Sequence, residues 1–430
     1  MDRLYVAPSI VTGKVNAPPS KSYTHRAFAI SLIIDGESVI TNPLVSGDTK
    51  ATMRICKQLG AELAEENENS IIVKGGRLCL PDDILDAENS GTTLRLFTAI
   101  SSLAPPGYVI LTGDDSLRNR PMQPLLDALK MLGVECWSSR GNGCAPIIVR
   151  SGGMRGGEAT IRGDISSQFI SALLIASTRA EKYTEIRIVG QLVSRNYVDA
   201  TIEVLKRYGF EIKREGYSVF MIDPGQSGRP TSFKVPGDFS SSSFILAGAY
   251  LTRSKVEVRN LDLSLPQADS AILDVLREFD VKIRIVEDTV SAESSGPSPR
   301  DKEFILRDSP DLLPVLAVMA AKTPSQTIIK GVKHARFKES DRISCVADEL
   351  VKLGVQVEVF EDGMKIVGRE ELEGGVELDA HKDHRLFMAF TILSASTKKG
   401  CIVNGLRWAE ISYPGFLKDL ERLNVSFKEI

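Results

Sequence analysis

A short basic segment near the N-terminus has the residue types and spacing of an anion-binding helix start. Residues 18–26 read PPSKSYTHR and run into an apolar stretch. Two prolines make the approach rigid and Ser20 can cap a helix, which places Lys21, Ser22 and Arg26 on the first turns. Unpaired N–H groups and the helix dipole attract phosphate or carboxylate there, and the two cations add charge and further donors. Alone, such a segment is more often a solvated basic helix start, but similar starts recur along this chain.

Length and composition limit the classes of protein to consider. At 430 residues the chain exceeds the usual size of one core, so two domains are expected. A net charge of −3 argues against general binding of nucleic acid or an anionic membrane. The apolar runs are too short to span a bilayer, which predicts a cytoplasmic protein. The six cysteines are scattered without a C-x-x-C pair, so we expect neither disulfides nor a structural zinc site.

Helix starts with polar residues followed by an apolar segment recur at intervals of roughly 70 residues. The clearest matching pair is GDISSQF at 163–169 and GDFSSSSF at 237–244. The six starts lie near Lys21, Asn89, Ser166, Ser240, Asp311 and Asp383. The regular interval predicts six copies of one structural unit.

Each unit also contains a second, amphipathic helix with a common stop signal. The stop is a residue that tolerates a left-handed backbone, and a strand follows it. The six stops are at Gly60, Gly133, Gly209, Asp280, Gly354 and Asn424. Alternating segments such as 70–73 and 216–222 predict strands. The unit is therefore strand-helix-strand-helix-strands, which is an α/β or α+β pattern.

Six such units can form a solenoid, but the length favours two domains of three units each. The expected divide lies near residues 235–237. The N-terminal strand of residues 1–17 is expected to return to the second half, which gives one domain of 1–17 plus 237–430 and another of 18–236. A ligand site is expected in the interdomain cleft, because clefts between domains favour ligands.

Two segments of the second unit are candidates for contacts to an anion. Residues 89–95 read NSGTTLR, where Gly91 permits close approach of a ligand and Arg95 lies on the next turn. An ordinary helix cap beside an exposed arginine explains this segment equally well. Further along, Pro121 fixes the backbone after Arg120, which suits a positioned guanidinium.

Three later segments extend the pattern. Residues 166–168 read SSQ and offer neutral hydrogen-bonding groups at a helix start, and residues 194–197 read SRNY and could close over the same ligand. Residues 338–342 read KESDR just before an apolar helix face, where a salt-bridged surface start is the simpler interpretation. Residues 381–385 read HKDHR, and without further ligands this pair of histidines favours anion or proton handling over metal binding.

These motifs, in this order and over essentially the whole chain, resemble the signature of the 5-enolpyruvylshikimate-3-phosphate synthase family. The resemblance implies an α/β (α+β) fold, a two-domain inside-out α/β barrel with three repeated βαβαββ units per domain. It implies transfer of the enolpyruvyl group of phosphoenolpyruvate to the 5-hydroxyl of shikimate 3-phosphate, the sixth step of the shikimate pathway to chorismate. It implies no cofactor and no metal.

The resemblance also assigns roles to residues of this chain. The residues implied to bind shikimate 3-phosphate are Lys21, Ser22, Arg26, Ser166, Ser167, Gln168, Ser194, Tyr197, Asp311 and Lys338. The residues implied to bind phosphoenolpyruvate are Lys21, Gly91, Arg120, Gln168, Arg342 and Arg385. The catalytic residues implied are Asp311 as proton acceptor and Glu339 as proton donor, together with Lys21. This division is physically sensible, since a hydroxyl nucleophile needs a base, the enol carbon needs a proton and two anions need several cations.

Two positions depart from the family pattern. His334 stands where many relatives have asparagine, which affects one contact to the sugar. Ile411 stands where many have a lysine that binds phosphoenolpyruvate, which removes one cation from the expected phosphate shell.

Two other functions are compatible with parts of this pattern. The related UDP-N-acetylglucosamine enolpyruvyl transferases use Lys-Asn where this chain has Lys21 and Ser22, and a loop cysteine where it has Asp115. A non-catalytic phosphometabolite-binding protein would have no reason to keep Asp311 and Glu339 among the cations. The expected partners are the two small-molecule substrates, with no nucleic acid and no membrane, and the chain is expected to be a monomer.

Overall fold

The structure is a computed structural model that describes residues 2–297 and 299–430. The chain forms two compact units. One comprises Met1–Pro18 and Gly237–Ile430 and is called the discontinuous unit here, and the other comprises Pro19–Pro236 and is called the continuous unit. Met1, which the sequence analysis placed in the first domain, lies outside the described residues.

Twelve α-helices and twenty-four strands are found in the described part of the chain. The helices are α1 (Lys21–Leu32), α2 (Gly47–Gln58), α3 (Gly91–Ile100), α4 (Gln123–Met131), α5 (Ser167–Ser177), α6 (Arg195–Arg207), α7 (Phe239–Leu251), α8 (Ile272–Glu278), α9 (Leu313–Ala321), α10 (Arg342–Lys352), α11 (His384–Ala395) and α12 (Phe416–Arg422).

The strands are β1 (Arg3–Val6), β2 (Gly13–Asn16), β3 (Gly36–Thr41), β4 (Glu62–Asn67), β5 (Ser70–Gly75), β6 (Leu85–Asp86), β7 (Gly107–Thr112), β8 (Cys136–Ser138), β9 (Ile147–Ser151), β10 (Gly157–Arg162), β11 (Thr184–Val189), β12 (Lys213–Glu215), β13 (Val219–Ile222), β14 (Ser232–Lys234), β15 (Lys255–Arg259), β16 (Lys282–Val286), β17 (Thr289–Glu293), β18 (Lys302–Ile305), β19 (Gln326–Lys330), β20 (Gln356–Phe360), β21 (Gly363–Val367), β22 (Glu377–Asp379), β23 (Cys401–Asn404) and β24 (Phe427–Glu429).

Each unit contains three four-stranded sheets with one common topology. In the continuous unit the strand orders are β14-β3-β5-β4, β6-β7-β9-β8 and β10-β11-β13-β12. In the discontinuous unit they are β2-β15-β17-β16, β18-β19-β21-β20 and β22-β23-β1-β24. The first two strands of each sheet are parallel and the other neighbours are antiparallel. The mixed α/β class and the threefold repetition predicted from the sequence are confirmed.

Strands from distant parts of the chain complete three of these sheets. Strand β2 pairs in parallel with β15, Gly13 facing Val256. Strand β14 pairs in parallel with β3, Ser232 facing Val39. Strand β1 lies between β23 and β24, at the other end of the sequence. Each unit is thus held together by backbone ladders that join its earliest and latest segments.

The first helix of each repeat is buried and the second is amphipathic. Helices α7, α9 and α11 are buried along their whole length, pack on one another and form the core of the discontinuous unit. The sequence LPVLAVMAA of α9 has no polar face, as expected for a helix surrounded by protein. These three inner helices are therefore enclosed by protein over their whole length.

The helix stops lie where the sequence predicts them. The six stop residues all have positive φ, from 59° at Asp280 to 106° at Gly60, and each follows the end of an even-numbered helix. The predicted strand at 216–222 begins only at Val219, because Gly216 has φ 55° and forms the turn between β12 and β13. Among the described residues, none of the helices is long and apolar enough to cross a membrane.

Candidate active site

The start of α1 presents Lys21 beside a buried carboxylate. The Nζ of Lys21 lies 2.9 Å from Oδ2 of Asp48, in the first turn of α2, and both side chains are largely buried. Ser20 occupies the N-cap position, but its side chain makes no capping hydrogen bond, so the capping role expected for it is wrong. Its carbonyl oxygen accepts from the Oγ1 of Thr24 at 2.8 Å. Asp48 therefore orients the lysine at this helix start.

Arg26 is enclosed by neutral oxygens. Its five hydrogen bonds go to the backbone and hydroxyl of Ser22, to the hydroxyls of Ser171 and Thr201, and to the carbonyl of Tyr197. The guanidinium is 1% exposed, and this burial lowers the pKa of Arg26 to about 10. The residue thereby joins α1 to α5 and α6.

A chain of buried hydroxyls runs from α1 to α3. His25 Nδ1 lies 2.7 Å from Thr52 Oγ1, which lies 2.7 Å from Thr93 Oγ1, which in turn lies 2.6 Å from Ser90 Oγ. Burial, reinforced by the charges of Lys21 and Arg26, lowers the pKa of His25 well below its usual value. The neutral imidazole therefore links the starts of the first two repeats without adding charge.

The start of α3 brings two guanidinium groups together over a glycine. A Cβ at Gly91 would lie 3.1 Å from Nη1 of Arg120 and 3.4 Å from Nη1 of Arg95. Arg120 also donates to Asn89 Oδ1 and to Ser116 Oγ, both at 3.2 Å. A side chain at position 91 would crowd these donors. The glycine keeps open the space in which the N–H groups of α3 and both arginines can meet an anion.

Gln168 joins the start of α5 to this group. Its Oε1 accepts from Arg95 Nη1 at 2.6 Å, and its Nε2 donates to Thr92 Oγ1 at 3.0 Å. Ser166 caps α5 by accepting from the backbone N–H of Gln168 at 3.3 Å. The amide of Gln168 is therefore fixed in one orientation by the second repeat.

Two more predicted residues lie at the start of α6. Ser194 is a buried N-cap residue with φ 55° and ψ 43°, a left-handed conformation that is unusual for serine and typical of constrained functional positions. The ring of Tyr197 lies 5.9 Å from the guanidinium carbon of Arg26. Tyr197 is thus held both through its ring and through its carbonyl oxygen.

In the discontinuous unit, one guanidinium binds three carboxylates. Arg342, the first residue of α10, lies 2.7 Å from Asp383, 2.5 Å from Asp311 and 2.6 Å from Glu339. Its side chain is 1% exposed, so the surface salt bridge considered for this segment is wrong for Arg342. Burial would lower the pKa of Arg342, but the three carboxylates raise it well above the ordinary value. The guanidinium therefore stays charged and fixes all three acids.

Asp311 is also the counter-ion of two further cations. Arg385 Nη2 lies 3.1 Å from Oδ2 of Asp311, and Lys338 Nζ lies 3.7 Å from Oδ1. Burial would raise the pKa of Asp311, but Arg385, Lys338 and Arg342 together lower it well below the ordinary value. We call these six residues the carboxylate cluster: Asp311, Lys338, Glu339, Arg342, Asp383 and Arg385.

Two buried groups flank the carboxylate cluster. Burial, with the charge of Asp311, raises the pKa of Asp269 to about 6, although Arg385 opposes this shift. Ser240, in the first turn of α7, donates its hydroxyl proton to Asp269. Burial and the charge of Lys338 lower the pKa of His334 to about 4, so its ring is neutral at physiological pH.

The HKDHR segment divides its residues between two environments. His381 Nε2 lies 2.9 Å from Oε1 of Glu349, while His384 is the first residue of α11 and is fully buried.

Ile411, the position expected to carry a lysine in relatives, ends a 3-10 turn at 406–411.

Sequence reasoning located the helix starts but missed several partners. These partners contact the predicted residues from other elements, and in the sequence each looks like an ordinary polar helix residue. They are Asp48, Thr201, Asp269 and Glu349.

Comparisons with known proteins agree on one family. A family model described as EPSP synthase (3-phosphoshikimate 1-carboxyvinyltransferase) matches residues 6–420. A 3-phosphoshikimate 1-carboxyvinyltransferase of Korarchaeum cryptofilum is 45% identical over 98% of this chain and 99% of its own length. That of Methanocaldococcus jannaschii is 41% identical over 97% of this chain and 96% of its own. A solved EPSP synthase structure from Acinetobacter baumannii matches with a TM-score of 0.81 and 25% identity, covering 100% of this chain and 99% of that one. The chain belongs to the EPSP synthase family.

Proposed function

We propose that this chain transfers the enolpyruvyl group of phosphoenolpyruvate to the 5-hydroxyl of shikimate 3-phosphate, giving 5-enolpyruvylshikimate 3-phosphate and inorganic phosphate. The observation that carries the mechanism is that Arg342 binds both Asp311 and Glu339. The carboxylates assigned as base and acid are thus held on one guanidinium, as a reaction that needs both would require. Membership of the family supports the same reaction.

The reaction is an addition followed by an elimination. The 5-hydroxyl oxygen bonds to C2 of phosphoenolpyruvate while its proton passes to Asp311, and Glu339 delivers a proton to C3. In the second step C3 returns a proton to Glu339, the bond from C2 to the phosphate oxygen breaks so that the double bond is restored, and the phosphate leaves with the proton that Asp311 held. The cations stabilise the negative charge on both substrates throughout.

Asp311 is a poor base while it is bound to two arginines. Burial would raise the pKa of Asp311, but the positive charges of Arg385, Lys338 and Arg342 hold it well below its ordinary value. Arg342 and Arg385 are also the proposed phosphoenolpyruvate contacts, so the substrate's phosphate and carboxylate compete with Asp311 for the same N–H groups. Binding of this substrate therefore frees an oxygen of Asp311 and raises its pKa. The base becomes active only when the molecule to be attacked is present.

The residues of the continuous unit supply the remaining contacts in this proposal. Lys21 reaches both anions, while Ser166, Ser167 and Ser194 hold the hydroxyls and phosphate of shikimate 3-phosphate. The two guanidinium groups above Gly91 suit the phosphate of phosphoenolpyruvate, since planar forks of donors match its oxygens.

We also propose that the chain acts as a monomer in the cytoplasm. Light scattering during size-exclusion chromatography measures the molar mass directly, and a mass of two chains would contradict the monomer.

The function is tested by phosphate release from purified protein with each substrate alone and with both together. We expect release only with both, and a product whose mass equals that of shikimate 3-phosphate plus the enolpyruvyl group. UDP-N-acetylglucosamine in place of shikimate 3-phosphate is the control for the related transferases. Release with that sugar nucleotide, or tight binding of both substrates without turnover, would favour an alternative function.

A further inference from the structure

The turn before α11 is made of two consecutive residues in an unfavourable backbone conformation. His381 has φ 48° and Lys382 has φ 61°. Side chains with a Cβ rarely adopt the left-handed region, and two in succession cost free energy that surrounding contacts must offset. The N–H of Asp383 closes this turn onto the carbonyl oxygen of Ala380 at 2.8 Å. A turn needed only to reverse the chain would be better served by glycine or asparagine.

A buried carboxylate in α10 holds this turn from one side. Glu349 is 2% exposed, and its Oε1 lies 2.9 Å from the Nε2 of His381. Its Oε2 accepts from the backbone N–H of Asp379 at 2.9 Å and from Lys352 at 2.7 Å. Asp379 in turn accepts from the N–H of His381 at 2.7 Å. A buried carboxylate is costly unless it is fully paired, and here most of the pairing is with the turn.

The same helix holds the other side of the turn. Arg342, at the start of α10, donates from Nε to Asp383 at 2.7 Å. Asp383 caps α11 by accepting from the N–H of Arg385 at 2.9 Å. Arg385 then reaches Asp311 at 3.1 Å. Two contacts from α10, one at each end, thus set where Asp383 and Arg385 lie.

We propose that Glu349 and His381 are positioning residues that keep Arg385 and Asp383 aligned with Arg342 for binding phosphoenolpyruvate. This inference rests on the proposed function. Because Arg342 and Arg385 must meet one small anion together, a shift of the turn would separate their donors. Misplacement of a substrate-binding group by about 1 Å can reduce the rate about a hundredfold, so two residues that do not touch the substrate can still affect catalysis.

The test uses Glu349→Gln and His381→Asn, with Lys352→Met as the matched control. Glutamine keeps the size of the side chain and loses its charge, and asparagine tolerates the left-handed backbone but lacks the ring. The control removes the exposed partner of the same carboxylate and leaves the turn intact. We expect the KM for phosphoenolpyruvate to rise about tenfold in the first two variants. The KM for shikimate 3-phosphate should stay close to that of the wild type, while the melting temperature should fall because contacts that offset the strained turn are lost. The control should behave like the wild type.

A second measurement needs no substrate. Amide hydrogen exchange over residues 379–385 should be faster in Glu349→Gln than in wild type and unchanged in Lys352→Met. Equal changes in both KM values, or unaltered exchange in this segment, would overturn the positioning role. A wild-type chain that releases no phosphate would contradict the proposed function instead, and the exchange data would still decide whether Glu349 holds the turn.

Discussion

The Nη2 of Arg26 donates a 2.9 Å hydrogen bond to the carbonyl oxygen of Tyr197, across 171 residues of sequence. This bond ties the first helix of one repeat to the second helix of another within the continuous unit. Every described hydrogen bond of this guanidinium ends on a neutral protein oxygen. Arg26 therefore stabilises the positions of Ser22 and Tyr197, in addition to any contact it makes with a substrate.

Arg26→Lys is expected to destabilise the protein. A lysine cannot satisfy the acceptors that surround the guanidinium, and buried acceptors without donors should cost about 2–3 kcal/mol in the free energy of unfolding. Urea denaturation measures the loss, with Arg162→Lys, at an arginine whose side chain is 63% exposed, as the control expected to change stability less. Unchanged stability together with weaker binding of shikimate 3-phosphate would show that Arg26 acts mainly as a ligand contact.

Lys21→Met should be the most damaging substitution among the basic residues for substrate binding. Each charge-assisted hydrogen bond contributes roughly 1.5–3 kcal/mol, and Lys21 is proposed to contact both anions. Isothermal titration should show weaker binding of both substrates. The control Asp48→Asn keeps the lysine and should lose less than about tenfold, since only the orientation of the lysine is relaxed. Loss of affinity for one substrate alone would disprove the dual contact.

Asp311→Asn should separate binding from turnover. Turnover is expected to fall by about a hundredfold or more, because the base is removed. Affinity for phosphoenolpyruvate should increase, since the charged competitor for Arg342 and Arg385 is gone. Titration with phosphoenolpyruvate in wild type and variant compares the two affinities. Weaker binding in the variant would mean that Asp311 does not compete with this substrate.

Glu339→Gln should leave substrate binding nearly intact and reduce turnover by about a hundredfold or more. The amide oxygen can still accept from Arg342, which lies 2.6 Å from Glu339, so the geometry of the cluster is retained. Steady-state kinetics with both substrates varied separates kcat from KM. Parallel losses in binding and turnover would instead assign Glu339 a structural ion-pair role.

Asp269→Asn should change how stability depends on pH. Burial and Asp311 raise the pKa of Asp269 to about 6, above the value of about 3.9 for an unfolded aspartate. The folded protein therefore binds this proton more tightly, and the resulting stability is present below about pH 4 and is lost as the pH rises through about 6. We expect the free energy of unfolding of the variant to exceed that of the wild type by on the order of 3 kcal/mol at pH 8 and to match it near pH 4. Chemical denaturation at both pH values provides the comparison, and a constant difference would rule out this titration.

The elements that follow local signals were predictable from the sequence. Polar residues before apolar segments located the helix starts, and residues that tolerate positive φ located the stops at Gly60 and Asn424. These signals act within a few residues, so each can be interpreted without the rest of the fold. The overestimated strand at 216–222 is a boundary error of the same local kind.

The partners of the site residues were not predictable in this way. Nothing near Glu349 in the sequence indicates a contact with His381, because the two meet only when α10 packs beside the turn. The same is true of Asp48 and Lys21, which belong to different helices of one repeat. Ser20 shows the reverse case, where a favourable cap residue is present but its hydroxyl does not cap the helix.

The pairing of early strands with late strands in the discontinuous unit has a consequence for biosynthesis. The continuous unit is complete once the ribosome has synthesised β14, because β14 pairs with β3. In the discontinuous unit, β1 and β2 emerge before the whole of the continuous unit and pair with strands made much later, β23, β24 and β15. These two strands must remain available while more than two hundred residues are translated and folded between them and β15. Strands β1 and β2 are therefore synthesised before the continuous unit but reach their final place after it.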